Sequence, residues 1–277
     1  MTELEIRNKI WEKISLIKKG GVYPKFLNHN RVYKGAQGIY FDQKNTTKID
    51  SAGVTVSILH TGRHYPDELS EEGLIYHYPL TKRGSRDQSE VNATKNAKKY
   101  NLPIFVILPG TSKETREVKR GWVISYNDIN KTFLISFSGS QDKFEDIKKD
   151  DEFILTSNSS SNYSRSKTRP NQQKFRFSLL KNYGSKCAIC DIRNEKLLIA
   201  AHIRPKDDKG SDDWRNGIVL CANHHLAFDN NLFKVNPDNL EISTDESNLK
   251  IEVNKLTTLT NIYPHKESLK WKLKNSK

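Results

Sequence analysis

The sequence predicts an α+β chain of two domains, a β-rich N-terminal one and a smaller C-terminal one closed by a metal. Three observations carry this. Five short runs of β-branched and aromatic residues fall between residues 53 and 139, separated by turn residues. A stretch with no apolar period, SNSSSNYSRSKTRPNQQ (157–173), then reads as a flexible cationic linker. All three cysteines, Cys187, Cys190 and Cys221, lie beyond it. The expected limits are 1–156 for the first domain, 157–173 for the linker and 174–277 for the second domain. At 277 residues the chain is long enough for each domain to bury its own core.

In chain order, residues 3–19 carry Leu4, Ile10, Trp11, Ile14 and Ile17 near helical spacing and read as an amphipathic helix. The runs GVTVSIL (53–59), GLIYHYP (73–79), IFVIL (104–108), GWVISY (121–126) and FLISFSG (133–139) read as strands. DQSEVNATKNAKKYNL (87–102) reads as a helix crossing between them. Five strands and one crossing helix suggest a small curled or barrel-like sheet. After the linker, KFRFSLLKNYG (174–184) reads as a helix stopped by Gly184. LLIAAHI (197–203) reads as a hairpin strand, and FKVNP and LEIS as short strands before a Lys-rich end.

The formal net charge of +13 favours a polyanionic partner, with nucleic acid the usual one. No apolar run approaches the roughly 20 residues of a spanning helix. The start, MTELEIRNKIWEKI, alternates charge and hydrophobe, unlike a signal peptide. The expected compartment is therefore the cytoplasm, with no membrane partner. An odd cysteine count in a reducing compartment argues for metal ligation rather than a disulfide framework.

Cys187 and Cys190 form a C-x2-C knuckle, and Cys221 and His224 form a C-x2-H knuckle. Two such knuckles supply a tetrahedral Cys3His set of the kind that holds structural zinc. His225 then needs a separate explanation. If the segment from Cys221 onward is helical, adjacent side chains point about 100° apart. His224 turned toward zinc leaves His225 on another face, with Asp229 one turn further along that face. An imidazole and a carboxylate at this spacing can hold a harder cation, Mg2+ or Mn2+.

His202 in AAHIRP and Asn216 in WRNGIVLC complete an ordered set, His202, Asn216, His225. AAHI…RNGIVLCANHHLAFD, with its knuckles, closely resembles the zinc-knuckled HNH group of the ββα-metal nucleases over roughly residues 175–235. The resemblance implies that His202 is the general base of phosphodiester hydrolysis. It implies that Asn216 holds the His202 loop by hydrogen bonds, although in some relatives an asparagine here touches the metal. It implies that His225 ligates the catalytic cation, with Asp229 as second ligand. Many relatives carry an acid or a histidine immediately before the base; here that residue is Ala201, so waters or Asp229 must fill the coordination shell.

GAQGIYFD…AGVTVSILHTGRHYPDELSEEGLIYHYPLTKRGSRDQSEVNATKNA (35–97) resembles the SRA (YDG) domain, a PUA-like reader of modified cytosine. The resemblance rests on the G-V-x-V-S strand, on Tyr65-Pro66-Asp67, on Ile75-Tyr76-x-Tyr78, and on Asp87-Gln88 with Asn92 and Asn96-Ala97. The expected double glycine before the tyrosine is replaced by Gly62-Arg63-His64. Flipping a base out of the duplex demands a pocket with aromatic faces and an edge-reading acid. Tyr65, Tyr76 and Tyr78 can stack on a pyrimidine, and Asp67 or the neighbouring Glu68 can accept from the cytosine amine. Lys82, Arg83 and Arg86 are candidates for phosphate contacts.

Together these readings describe a modification-dependent restriction endonuclease. Its partner would be double-stranded DNA carrying 5-methylcytosine or 5-hydroxymethylcytosine, and a homodimer or paired sites would be needed for a double-strand cut. Two rivals remain: a zinc-stabilised modified-DNA-binding protein without catalysis, and an HNH nuclease whose first domain has another target.

Overall fold

The computed structural model describes residues 1–277 apart from 18–19, 36, 63–66, 82, 139–146, 158–170 and 276–277. The chain divides into two compact units, Met1–Glu145 and Asp146–Lys277. The expected linker core, 158–170, lies outside the described residues, as do Tyr65 and Lys82. No described helix is long and apolar enough to cross a membrane.

The first unit begins with α1 (Glu3–Ser15), whose N-terminus carries a full capping box between Thr2 and Glu5. Its buried residues are Arg7 and Ile14, whereas Leu4 and Ile17 stay exposed. Arg7 turns inward because its guanidinium donates to the carbonyls of Thr55 and Pro103, at 2.9 and 2.7 Å, and meets Glu3 at 2.7 Å. Then come α2 (Pro24–His29), β1 (Ile39–Phe41), α3 (Gln43–Thr46), β2 (Thr55–Leu59), β3 (Glu68–Leu69) and β4 (Gly73–His77). The unit ends with α4 (Ser85–Lys99), β5 (Ile104–Pro109), β6 (Arg116–Asn127) and β7 (Thr132–Ser136).

The seven strands form one sheet in the order β1-β2-β5-β6-β7-β4-β3. Among the described residues only β2 and β5 pair in parallel, and α4 lies on the connection that makes this possible. Among the described residues the sheet does not close into the barrel that the sequence also allowed. β6 gives its first half to β5 and its second half to β7, with a register shift between Val123 and Ser125 that bends the strand. The edges β1 and β3, three and two residues long, do not pair with each other among the described residues. β5 alternates in the manner of a strand buried on both faces. Ile104, Val106 and Leu108 join the core that includes Val91 and Ala97 of α4, while Phe105 and Ile107 join the core that includes Ile14 and Leu27.

The second unit contains α5 (Gln172–Tyr183), β8 (Leu198–His202), β9 (Gly217–Cys221), α6 (Ala222–Asp229), β10 (Lys234–Val235), β11 (Ile242–Ser243) and α7 (Lys266–Asn275). β8 and β9 pair antiparallel, with Ala201 opposite Ile218 and His202 opposite Gly217. α6 follows β9 directly, completing a ββα unit. Gly184 ends α5 at φ +83°, a left-handed position that favours glycine. Residues 147–156, which precede the expected linker in sequence, are held on this unit. Trp214 Nε1 donates to the carbonyl of Ile147, and Arg215 donates to those of Lys149, Asp151 and Glu152.

Candidate functional site

The two knuckles converge. Sγ of Cys187, Cys190 and Cys221 and a ring nitrogen of His224 lie within 4.8 Å of one another, and all four residues are buried. Among the described residues no other group of three or more His, Cys, Asp or Glu comes together in this way. His224 Nδ1 stands 3.2 Å from Cys221 Sγ and 3.5 Å from Cys187 Sγ, and its Nε2 meets the carbonyl of Lys250 at 2.9 Å. That outer contact orients the ring toward the sulfurs. Burial pushes the Cys187 thiol up, but the bond from His224 and neighbouring backbone N–H groups outweigh it and bring it down to about 6. Burial and the adjacent sulfurs push Cys190 up to about 12. Three thiols and an imidazole at this spacing fit a tetrahedral metal ion.

His225 points elsewhere. With α6 helical, its ring joins Asp229 one turn on, Nε2 to Oδ2 at 3.4 Å, and both line a cavity of about 410 Å³ with His202. The adjacent imidazoles therefore diverge, one into the cysteine cluster and the other into the cavity. The same cavity is lined by Asp212, Lys206 and Lys272.

His202 sits at the end of β8. Its ring lies flat on Phe175 of α5, with centroids 3.7 Å apart and 4° from parallel. Its Nε2 is 3.1 Å from Asp212 Oδ1, and the other oxygen of Asp212 accepts from Lys206 Nζ at 2.8 Å. Burial raises the Asp212 carboxyl, but the bonds to His202 and Lys206 outweigh it and hold the group below the usual carboxylate range. The close approach of Phe175 requires Gly217, because a Cβ there would lie 2.6 Å from the ring.

Asn216 is fully buried and does not reach the cavity lining. Its Oδ1 accepts from Arg204 N at 3.0 Å, and its Nδ2 donates to the carbonyls of Arg204 and Ser211 at 3.1 and 3.0 Å. It ties both ends of the loop that follows His202. Ala201, adjacent to His202, is buried against Ile218 across the hairpin and offers no ligand atom.

In the first unit, Asp67 and Tyr76 line a cavity of about 500 Å³ together with Gly38, Thr81, Arg83 and Glu90. Asp67 is gripped by two histidines. Its Oδ2 meets His60 Nδ1 at 3.0 Å, and its Oδ1 accepts from His77 N at 2.8 Å and meets His77 Nδ1 at 3.0 Å. Burial raises its carboxyl, and these bonds more than reverse the effect. Tyr78 is placed apart from this cavity. Its ring packs on Phe133 at 4.4 Å and its hydroxyl donates to Asp128 at 3.0 Å. Glu68 likewise does not line the cavity, and Tyr65 falls outside the described residues.

Sequence reasoning missed Asp212, Phe175, Glu90 and the two histidines on Asp67. The loop 203–216 holds four aspartates, Asp207, Asp208, Asp212 and Asp213, and nothing in their spacing singles out Asp212. Glu90 carries a weak signal: it is an acid on the helical face that also holds Val91, Thr94 and Ala97.

Residues 187–236 match the HNH_2 family of HNH endonucleases. No curated protein matches the chain. Among solved structures, the chain is similar to a modification-dependent TagI restriction endonuclease at 15% identity, over 94% of this chain and 93% of that one, with a TM-score of 0.35. It is also similar to the SRA domain of SUVH5 in complex with fully methylated CG DNA, at 20% identity over 44% of this chain and 88% of that one, with a TM-score of 0.31. Both TM-scores are too low to establish a common fold. The family match takes in both knuckles, the β8–β9 hairpin and α6, and it bears out the resemblance read from AAHI…RNGIVLCANHHLAFD. Residues 187–236 of this chain carry an HNH endonuclease domain.

Proposed function

We propose that the chain is a modification-dependent DNA endonuclease. In this reading the first unit flips and reads a modified cytosine, and the HNH domain hydrolyses the backbone. The observation that carries the nuclease half is that His202, His225 and Asp229 line one cavity while His224 faces the cysteines. His202 accepts the proton of the attacking water as the water oxygen bonds to phosphorus and the bond to the 3′-oxygen breaks. Asp212 and Phe175 hold the imidazole in place, and Asn216 braces the loop behind it. Lys206 and Lys272 give the cavity a positive wall suited to a phosphodiester.

His225 and Asp229 would hold a divalent cation, Mg2+ or Mn2+, with phosphate and water oxygens in the places that Ala201 cannot fill. Such a cation supplies charge stabilisation at the scissile phosphate and the departing oxygen. Cys187, Cys190, Cys221 and His224 would hold zinc as a structural ion for a small unit.

The reader half rests on the SRA-like motifs and on the cavity lined by Asp67 and Tyr76. A carboxylate fixed by two histidines beside an aromatic ring suits a pyrimidine that offers an amine. Two nuclease sites are needed for a double-strand break, so two copies would act together on the DNA. The test is digestion of one plasmid in plain, methylated and hydroxymethylated forms with Mg2+ or Mn2+. Cutting of the modified forms alone, lost in His202→Ala, is the expected result. Equal cutting of all forms overturns the reader half, and cutting unchanged by His202→Ala overturns the nuclease half.

A further inference from the structure

Glu90 is 1% exposed, on the inner face of α4. A buried carboxylate is costly unless every oxygen is paired. Its Oε1 accepts from Arg86 Nε at 3.1 Å, but Oε2 has no hydrogen-bond partner among the described residues. Arg83 Nη2 stands 3.7 Å from that oxygen, beyond hydrogen-bond reach. Neither Arg83 nor Arg86 is buried, at 42% and 48% exposure. Glu90 forms part of the wall of the cavity that Asp67 and Tyr76 line.

The two carboxylates of this cavity are unequal. Asp67 already has both oxygens engaged by His60 and His77. Glu90 keeps one oxygen unsatisfied. A ligand that brings a hydrogen-bond donor to Glu90 Oε2 would satisfy it, in addition to whatever it gives Asp67.

We propose that Glu90 is a second reading carboxylate of this cavity, and that the cavity takes 5-hydroxymethylcytosine in preference to 5-methylcytosine. The inference rests on the reading of the first unit as a modified-cytosine reader. A cytosine whose amine goes to Asp67 has only a methyl group to offer at C5 when it is methylated. A methyl gives Glu90 Oε2 no hydrogen bond. A hydroxymethyl adds one O–H donor at that position, and a hydrogen bond to a buried carboxylate is of the strong, charge-assisted kind. A site built to bond a ligand hydroxyl rejects the analogue that lacks it, because its own polar group is then left unsatisfied.

The test uses the full-length protein with His202→Ala, so that DNA is bound and not cut. Its affinity is measured by fluorescence anisotropy for duplexes carrying one plain, one methylated or one hydroxymethylated cytosine. The hydroxymethylated duplex is expected to bind at least about ten-fold more tightly than the methylated one. Glu90→Leu or the near-isosteric Glu90→Met, added to that background, should bring the two modified duplexes within about two-fold of each other. Both variants should keep the preference for methylated over plain DNA.

Equal binding of the two modified duplexes by the parent overturns the proposal and leaves the reader function standing; this arm needs no Glu90 variant. A hydroxymethyl preference that survives both folded variants also overturns it. So does loss of all modified-base preference in those variants, which would mean that Glu90 takes the amine. Equal binding of all three duplexes by the parent is the separate result that removes the reader function itself.

Discussion

His202 Nε2 and Asp212 Oδ1 lie 3.1 Å apart, with the imidazole pressed flat on Phe175 and Asp212 held from behind by Lys206. The ring can neither tilt nor rotate without losing a stacked face or a charged partner. Asp212→Asn keeps the shape and removes the charge. Cleavage is expected to fall about ten- to a hundred-fold, while His202→Ala costs about 10²- to 10⁴-fold. A plasmid cleavage assay on both purified variants checks this.

The neighbours His224 and His225 should separate cleanly on substitution. His225→Ala is expected to keep the metal of the cysteine cluster and the melting temperature, while cleavage drops about a hundred-fold or more. His224→Ala removes one of four ligands and should lose that metal and destabilise the second unit. Metal content by mass spectrometry, thermal melting and a plasmid assay on the same preparations check this. Loss of bound metal in His225→Ala would show that both rings serve one site.

Metal uptake by the cysteine cluster should release protons. Burial and the adjacent sulfurs put Cys190 at about 12, so at neutral pH it is a thiol before the metal binds and a thiolate afterwards. The sign follows: affinity rises with pH, and it falls steeply once pH drops below about 6, where Cys187 also protonates. Titration calorimetry in buffers of different ionisation enthalpy should report at least one proton released per zinc ion. A buffer-independent heat would contradict this.

Asn216 should matter to stability as much as to cleavage. Asn216→Ala leaves Arg204 N, Arg204 O and Ser211 O without their partner in a buried setting. With orphaned buried groups costing about 1–3 kcal/mol each, a loss of about 3 kcal/mol is expected. Denaturant melts of wild type and variant measure it. The expected correlate is lost cleavage, because the loop after His202 is no longer tied at both ends.

The legible parts of this protein share a physical character. The strands at 53–59, 73–79, 104–108, 121–126 and 133–139 each overlap an observed strand, because alternation and β-branching act within a few residues. The helix expected at 3–19 forms at Glu3–Ser15, yet its inner face holds Arg7 rather than Leu4. Two backbone carbonyls far along the chain, those of Thr55 and Pro103, decide that, and hydropathy contains no trace of them. In the sequence α7 is legible only as a Lys-rich end, since its buried positions are Ser268 and Leu269 among lysines.

The chain by itself determined the two knuckles, the order of His202, Asn216 and His225, and the divergence of two adjacent imidazoles. Each knuckle, and the divergence of the imidazoles, is set by spacing within one turn or one helix, where covalent geometry leaves little freedom, and the order of the three site residues is read directly along the chain. Tertiary structure alone decided that Asp212, rather than any of three other aspartates in its loop, meets His202. It also decided that Phe175 backs that ring, that Tyr78 belongs to the core, and that Glu90 shares a cavity wall with Asp67. Those contacts join elements distant in sequence, and packing around a common core brings them together in a way no local pattern encodes.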